Sequence, residues 1–542
     1  MPKTPNLKIF GLGIFCSFFV LSSALYAQEV KKLADSLTPI VKDSKAEYYS
    51  QNISVESLSK NLHVLASDEF EGRETGKKGQ KMAASYIAAQ FKAAGIPPYK
   101  DTMYYQPFML NVIVPSTAEV FAGKKKYKNN IDYYTYPDQV ELNLSAENIL
   151  FLGYGLQELS YNDYEGMDVK DKVLMILEGE PFSKDSLSLI SGKKMKSSWL
   201  TDTKLKIKKA GDNEVKGLLI VVEDIVKDVE KNKHKLESSS MKLELPDSGL
   251  FVIYISKKMA TDILNAHAYS KNKNAVDLLK QKISETGKPF NMDIPTSFNI
   301  SVKNVVKKVS SENVLGFIEG SDLKEEVVVI TAHYDHLGKE GAVVFNGADD
   351  DGSGTVAVIE LAKTFAKAKQ EGAGPRRSML FMTVAGEEKG LLGSSYYVNN
   401  PVYPLKNTVC DLNIDMIGRL DDRHPNNPNY VYLIGSDKLS SGLHKISEKA
   451  NKTYTNLELD YKYNNTADKN RYYYRSDHYN FAKNDIPVIF YFNGTHVDYH
   501  KETDEVEKID FNKIQKITKL VFFTAWELVN RDERIIVDSD KK

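Results

Sequence analysis

Residues 327–336 read Val-Val-Val-Ile-Thr-Ala-His-Tyr-Asp-His, and residues 347–354 read Gly-Ala-Asp-Asp-Asp-Gly-Ser-Gly. The first stretch is a short continuous apolar run ending in an imidazole, the pattern of a strand buried on both faces. The second stands directly before a segment in which Val356, Ile359, Ala362, Phe365 and Ala366 recur at helical spacing. Strand, acidic loop and helix in that order begin an α/β layer. The same texture continues in the apolar runs 380–384, 412–414, 431–434 and 488–492, and Ile514, Ile517, Leu520, Val521 and Trp526 form a last apolar helical face. Residues 301–535 are therefore expected to form the main part of an α/β domain with a mainly parallel or mixed central sheet flanked by helices.

Upstream, residues 58–96 carry helical periodicity through Leu62, Leu65, Ala83, Ala84, Ile87 and Phe91, interrupted by a charged, glycine-containing stretch at 67–78 that reads as a loop. Residues 28–125 are assigned to an N-terminal segment and the first part of the same domain. Between these parts, β-prone runs at 142–144, 149–152, 173–177, 217–222 and 250–255 alternate with lysine-rich stretches, which predicts a separate, smaller α+β unit over 126–300. At 542 residues, two or three domains are expected. Lys plus Arg (72) nearly cancels Asp plus Glu (73), which argues against a large basic footprint for nucleic acid.

Residues 1–27 carry Lys3 and Lys8, an apolar stretch, and small residues ending at Ala27, the pattern of a secretory signal peptide cleaved before Gln28. That predicts a secreted or periplasmic chain with no stable membrane span after cleavage. Of the two cysteines, Cys16 leaves with the signal, so Cys410 has no intrachain partner and no disulfide framework is expected.

Seven of the ten histidines lie between 333 and 500, several directly after predicted strands, where ligand sites of open α/β sheets gather. His333 has a carboxylate two residues on, Asp335, able to accept its other ring N–H. Alone, this pattern suits a structural histidine as well as a ligand. One aspartate suffices to cap a helix, whereas the three of 349–351 repel one another unless a cation is present. Glu387 and Glu388 follow a buried strand directly, and two adjacent carboxylates can divide metal ligation from proton transfer. Asp415 ends another apolar run, and Tyr499-His500 follows a further one, with Asp504 four residues beyond His500. His333, one acid of 349–351, one of 387–388, Asp415 and His500 exceed the three protein ligands of an ordinary catalytic zinc and suit two divalent ions sharing one carboxylate.

The order and wording of these motifs, AHYDHLG, GADDDGSG, AGEEKGLLGS, NIDMIGR, RSDHYNFAKNDIP and DYHKETDEVEKID, with LASDEFEGRETGKKGQ near the N-terminus, resemble the co-catalytic di-zinc aminopeptidases, a family that includes bacterial leucine aminopeptidase and, more distantly, glutamate carboxypeptidase. The resemblance implies a zinc exopeptidase-like fold, a peptide substrate and two Zn2+ per chain. It implies His333 and Asp415 on one ion, Glu388 and His500 on the other, Asp350 bridging them, a cis peptide at Asp350-Asp351, and Glu387 as general base. Asp335 and Asp504 would be partners of the ligating histidines, and Tyr499 a donor to the oxyanion, although an ordinary packing tyrosine suits that position as well. Leu152-Gly153-Tyr154-Gly155, Tyr161-Asn162-Asp163-Tyr164 and the run 169–173 resemble the protease-associated domain that some members insert.

Arg475 could bind a substrate carboxylate, as a carboxypeptidase needs, or form a structural salt bridge. His478 and His496 are expected in the same pocket or as structural histidines. Alternatives are a carboxypeptidase, another metal-dependent amide hydrolase such as a glutaminyl cyclase with a single metal, and a catalytically silent binding protein, which would be expected to have lost ligands or the base.

Overall fold

The computed structural model describes residues 42–99, 103–137, 140–194, 197–245, 249–265 and 274–538; the expected signal segment, 1–27, lies outside them. The chain divides into two compact units, one built from residues up to Phe108 and from Ser310 onward, the other from Met109 to Val309. The boundary lies outward of the 126–300 expected from texture, because Glu119–Ala122 and the end of Asn291–Lys303 pair within the second unit's sheet.

The apolar runs of the C-terminal half become strands with no exposed side: Arg377–Val384 and Thr408–Ile414 are buried throughout. In chain order the strands of the first unit's sheet are β1 (Tyr105–Val114), β2 (Val305–Ile318), β3 (Leu323–His333), β4 (Arg377–Val384), β5 (Thr408–Ile414), β6 (Tyr430–Ile434), β7 (Glu458–Asp460) and β8 (Val488–Phe492). They lie side by side in the order β7-β6-β8-β5-β3-β4-β2-β1. β3 is parallel to both β4 and β5, and β5 to β8. β2 runs antiparallel to β4, and β6 antiparallel to β8. The sheet is mixed with a parallel centre, and the carboxyl ends of β3, β4, β5 and β8 open at one edge.

Helices cover both faces. Val327, Val329, Leu380 and Met382 share a cluster with Tyr397 and Phe481, from helices Leu392–Asn399 and His478–Ala482. Phe381, whose side chain alternates to the other face, packs against Phe365 of helix Gly354–Gln370, which in turn meets Phe522 of helix Phe511–Asn530. Each fully buried side chain of this size contributes about 1.5–3 kcal/mol.

Ser54 caps helix Val55–Leu65 by accepting from the Ser57 N–H. The stretch expected as a loop is instead partly a tight 3-10 segment, Asp68–Arg73, before helix Lys78–Ala93. Gly72 adopts φ +62, and a Cβ there would meet the carbonyl oxygens of Gly338 and Phe345 at 2.2 and 2.5 Å, so only glycine fits. Among the described residues no helix is long and apolar enough to cross a membrane.

The second unit carries its own sheet, with strands in the order Lys125–Lys126, Glu119–Ala122, Asn291–Lys303, Glu141–Leu152, Val173–Leu177, Gly217–Val222, Phe251–Ser256 and Tyr133–Tyr134. Phe151, Met175, Leu219, Ile253 and Met259 belong to its core. Two buried ionisable groups organise one end of it. The Asp163 carboxylate accepts from the backbone N–H groups of Tyr154 and Leu156 and is pushed up to about 7 by burial. The Lys206 ammonium donates to the carbonyls of Tyr154, Leu177 and Gly179 at 2.7, 2.8 and 2.6 Å, and burial lowers it to about 7. Lys206→Met removes the donor from three carbonyls, each costing roughly 1–3 kcal/mol when left unpaired and shielded from water. The unit is expected to lose about 2–4 kcal/mol, allowing for partial rescue by water. Urea unfolding followed by Trp199 fluorescence in a Trp526→Phe background measures this, and an unchanged midpoint would show the ammonium to be dispensable.

Candidate metal centre

His333 is the last residue of β3. Its backbone is pinned on both sides, the N–H donating to Asp351 Oδ2 at 3.1 Å and the carbonyl accepting from the Thr355 hydroxyl at 2.7 Å. Its Nδ1 lies 3.1 Å from the backbone carbonyl of Asp335. A carbonyl only accepts, so the proton belongs on Nδ1 and the Nε2 lone pair is left to face the site. The expected partner was the Asp335 carboxylate, but its nearest oxygen is 3.9 Å away. That carboxylate is engaged elsewhere, accepting from the Thr75 hydroxyl and the Glu387 N–H. Asp335 thus orients the imidazole through its main chain and fixes the backbone of Glu387 through its side chain.

The three aspartates divide by orientation. Asp349 Oδ1 accepts from the Gly418 N–H at 2.6 Å, and its Oδ2 lies 3.3 Å from His496 Nε2. Asp351 accepts from the N–H groups of His333, Gly354 and Met416. Of the three, Asp350 is the one that faces His333 and His500, with Oδ1 3.2 Å from His333 Nε2 and Oδ2 3.0 Å from His500 Nε2. The peptide between Asp350 and Asp351 is cis.

β5 leads into Asp415, whose Oδ1 is 3.6 Å from His333 Nε2 and whose Oδ2 accepts from the Ser476 hydroxyl at 2.7 Å. Ser476 in turn accepts from Asn413, whose side-chain oxygen accepts from Thr331, a buried relay behind the carboxylate. After β4, Glu388 Oε2 lies 3.3 Å from His500 Nε2 and Glu387 Oε2 3.9 Å from His333 Nε2. His333, Asp350 and Asp415 offer atoms within 4.8 Å of one another, and so do His336, Asp350 and Glu388. Nitrogen and carboxylate oxygens converging on two centres that share Asp350 form a donor set suited to a pair of divalent ions.

Within the cluster the charges sort themselves by neighbour. Burial pushes the Glu387 carboxyl well up, opposed by His333 and reinforced by Glu388. For Glu388, burial and Asp350 push upward, but contacts with His336 and His500 win and hold it down to about 2. Burial opposes charge on His500, yet Asp350 and Glu388 raise it to about 10.

The open side of the centre is a pocket lined by His333, Asp350, Glu387, Asp415, Met416, Tyr472, Arg475, Phe490, Phe492, Thr495 and Tyr499. Tyr499 stacks on His500 with ring centroids 3.9 Å apart, and its hydroxyl accepts from Arg475 at 3.2 Å. The Arg475 guanidinium lies over the Tyr472 ring.

Three expected placements are corrected. His478 is fully buried against Phe490 and Tyr473, outside the pocket, and burial lowers its pKa to about 3. His496 turns toward Asp349 behind the site. Asp504 accepts from the N–H groups of Asp349 and Asp350 and so holds the acidic loop rather than His500. His496 and Asp504 stand close to His500 in sequence, but turns at His496–Tyr499 and Lys501–Asp504 separate them from it.

Two residues at the centre were not singled out. His336 stands three positions beyond His333, the wrong parity for a shared strand face, and reaches the site because the chain leaves β3 at His333. Arg73 lies about 260 residues away in sequence, and its signal was only an arginine among acids in EGRETG. It is 1% exposed, donating to the carbonyls of Tyr334, Leu65, Asn346 and Gly347 at 2.8, 2.7, 2.6 and 2.9 Å. Burial lowers its pKa, while Asp335, Asp350, Asp504 and Asp351 favour its charge. A lysine has one donor centre where the guanidinium fork has three nitrogens. Arg73→Lys is expected to cost the first unit about 2–4 kcal/mol through orphaned carbonyls, measured by urea unfolding on Trp526 fluorescence in a Trp199→Phe background; an unchanged midpoint would show the fork to be unnecessary.

Residues 313–525 match the family model described as Peptidase family M28. A probable zinc metalloprotease of Leptosphaeria maculans is 26% identical over 277 residues, covering 42% of this chain and 62% of that protein. Aminopeptidase YwaD of Bacillus subtilis (strain 168) is 26% identical over 229 residues, covering 42% and 46%. A probable leucine aminopeptidase of Trichophyton verrucosum is 31% identical over 212 residues, covering 38% and 54%. The chain thus spans less than two thirds of the length of these curated relatives. The solved aminopeptidase from Aneurinibacillus sp. strain AM-1 superposes with a TM-score of 0.54 at 19% identity, covering 91% of this chain and 98% of that one, and shares the fold.

Proposed function

We propose that residues 313–525, which match the model of peptidase family M28, make this chain a secreted or periplasmic zinc exopeptidase that removes N-terminal residues from peptides. The observation that carries this reading is the meeting of His333, Asp350, Glu388, Asp415 and His500 around two centres sharing Asp350, with Glu387 beside them on the wall of an open pocket. His333 and Asp415 would hold one zinc, Glu388 and His500 the other, with Asp350 between. Zinc bound there supplies an acidified water and polarisation of the scissile carbonyl.

The remaining work belongs to side chains of this chain. Glu387 accepts the proton of the attacking water and delivers it to the leaving amine; its burial, which favours the protonated carboxyl, suits a group that must carry the proton between the two steps. Its backbone is held by Asp335. The Tyr499 hydroxyl, at the pocket wall, donates to the developing oxyanion. Met416, Phe490, Phe492 and Tyr472 give the pocket an apolar wall for the substrate side chain. Asp350, Glu387 and Asp415 are the acids among the lining residues, so the free amine of the substrate is recognised within the same cluster. The second unit is the inserted module, resembling a protease-associated domain, and serves substrate access or partner contact.

One observation favours a second reading. Arg475 brings a guanidinium to the pocket wall, where it would pair with a substrate C-terminal carboxylate, as a carboxypeptidase requires.

Elemental analysis of the purified mature chain is expected to give two zinc ions, and a panel of aminoacyl-anilides, N-blocked controls and C-terminal peptides is expected to show cleavage of the free-amine substrates only. Cleavage confined to the C-terminal peptides would transfer the assignment to a carboxypeptidase. One metal per chain would favour the cyclase chemistry, and neither metal nor cleavage would leave a binding protein. Glu387→Gln is expected to lower kcat by about 10²–10⁴-fold, the range of a lost general base, with zinc content unchanged; near-normal turnover would remove Glu387 from the role.

A further inference from the structure

We propose that His336 is a third imidazole ligand of the metal pair, joining Asp350, Glu388 and His500 on the second ion. The inference rests on the two-metal reading above and adds to it a residue to which that reading gives no role.

His336 is fully buried, and neither ring nitrogen makes a hydrogen bond. Its Nδ1 stands 2.9 Å from Glu388 Oε1 and 4.0 Å from Asp350 Oδ2, and both of those oxygens are also buried without a hydrogen bond. Buried polar atoms are nearly always paired. Three orphans from three separate segments facing one another without hydrogen-bond alignment is the arrangement left when each lone pair is directed at a common point between them. A cation at that point satisfies all three at once.

His478 supplies the contrast. It too is buried with both nitrogens unpartnered, but it faces the rings of Phe490 and Tyr473, so nothing near it calls for a metal. The orphaned carboxylate oxygens are what distinguish His336.

The seat of the ring is built. The His336 N–H donates to the Arg73 carbonyl at 3.2 Å. Gly347, at φ +54, leaves room beside the imidazole, because a Cβ there would come within 2.4 Å of His336 Cδ2. His500 approaches the same acids from the other side, with its ring centroid 5.9 Å from that of His336. The side chain of His500 is 37% exposed, whereas His336 is buried. Two nitrogens and two carboxylates would then hold the second ion, with a fifth position left open for water as a catalytic zinc allows, and His336 would be the sheltered member.

X-ray absorption on the zinc-loaded wild-type chain is expected to fit three imidazoles per two zinc ions rather than two. His336→Asn is expected to retain one ion through dialysis and to bind the second more weakly by more than the roughly 10–100-fold that outer-sphere changes cost, read by titration calorimetry of the metal-free protein with zinc. A fit to two imidazoles, or a folded His336→Asn chain that holds both ions with wild-type affinity, would overturn the proposal while leaving the two-metal reading intact. A wild-type chain that retains no zinc would overturn both. If His336→Asn fails to fold, the wild-type absorption spectrum decides alone.

Discussion

Asp335, Asp349, Asp350, Asp351, Glu387, Glu388 and Asp415 gather beyond the carboxyl ends of three neighbouring strands, β3, β4 and β5, and every one of them is largely shielded from water. Like charges so placed cannot coexist unless each is neutralised, hydrogen-bonded or bound to a cation. Much of the local architecture answers that constraint. Asp351 and Asp349 are turned away to backbone N–H groups, Asp335 to Thr75 and Glu387, and Asp415 to Ser476. Arg73 brings a permanent positive charge without a hydrogen bond to any one of them, because its four hydrogen bonds all go to carbonyls. What is left uncompensated is Asp350, Glu388 and Glu387 among imidazoles, and that remainder has the composition of a metal site.

The sheet and the site were legible to different depths. Uninterrupted apolar runs have little choice but burial between helices, so the mixed sheet and the positions of the acids at its strand ends follow from hydrophobicity. Which acid of a run faces inward does not. Asp349, Asp350 and Asp351 are chemically identical, and their separation depends on N–H groups of Gly418, His333, Gly354 and Met416, brought in from distant loops. The same limit explains why Asp504 serves the acidic loop rather than His500, why Asp335 works through its carbonyl, and why His478 and His496 turn from the pocket. Arg73 was illegible for another reason: its partners are carbonyls, which leave no mark on a sequence.

The second unit solves a related problem with different means. Asp163 and Lys206 are both buried and both tied to main-chain atoms around residues 153–156. Each charge is spent on the backbone, which fixes the turn but leaves no convergent cluster; among the described residues, the groups able to hold a metal lie in the first unit.

The acidic loop has a further consequence. Because the outer two aspartates are clamped to different partners and only the middle one is free to look inward, the loop behaves as a counted tether rather than a pool of interchangeable acids. Losing or gaining one residue would keep an aspartate near the site while rotating the wrong oxygen toward it. Residues 349–351 should therefore tolerate changes of length far less than surface loops elsewhere in the chain, even where the total charge is preserved.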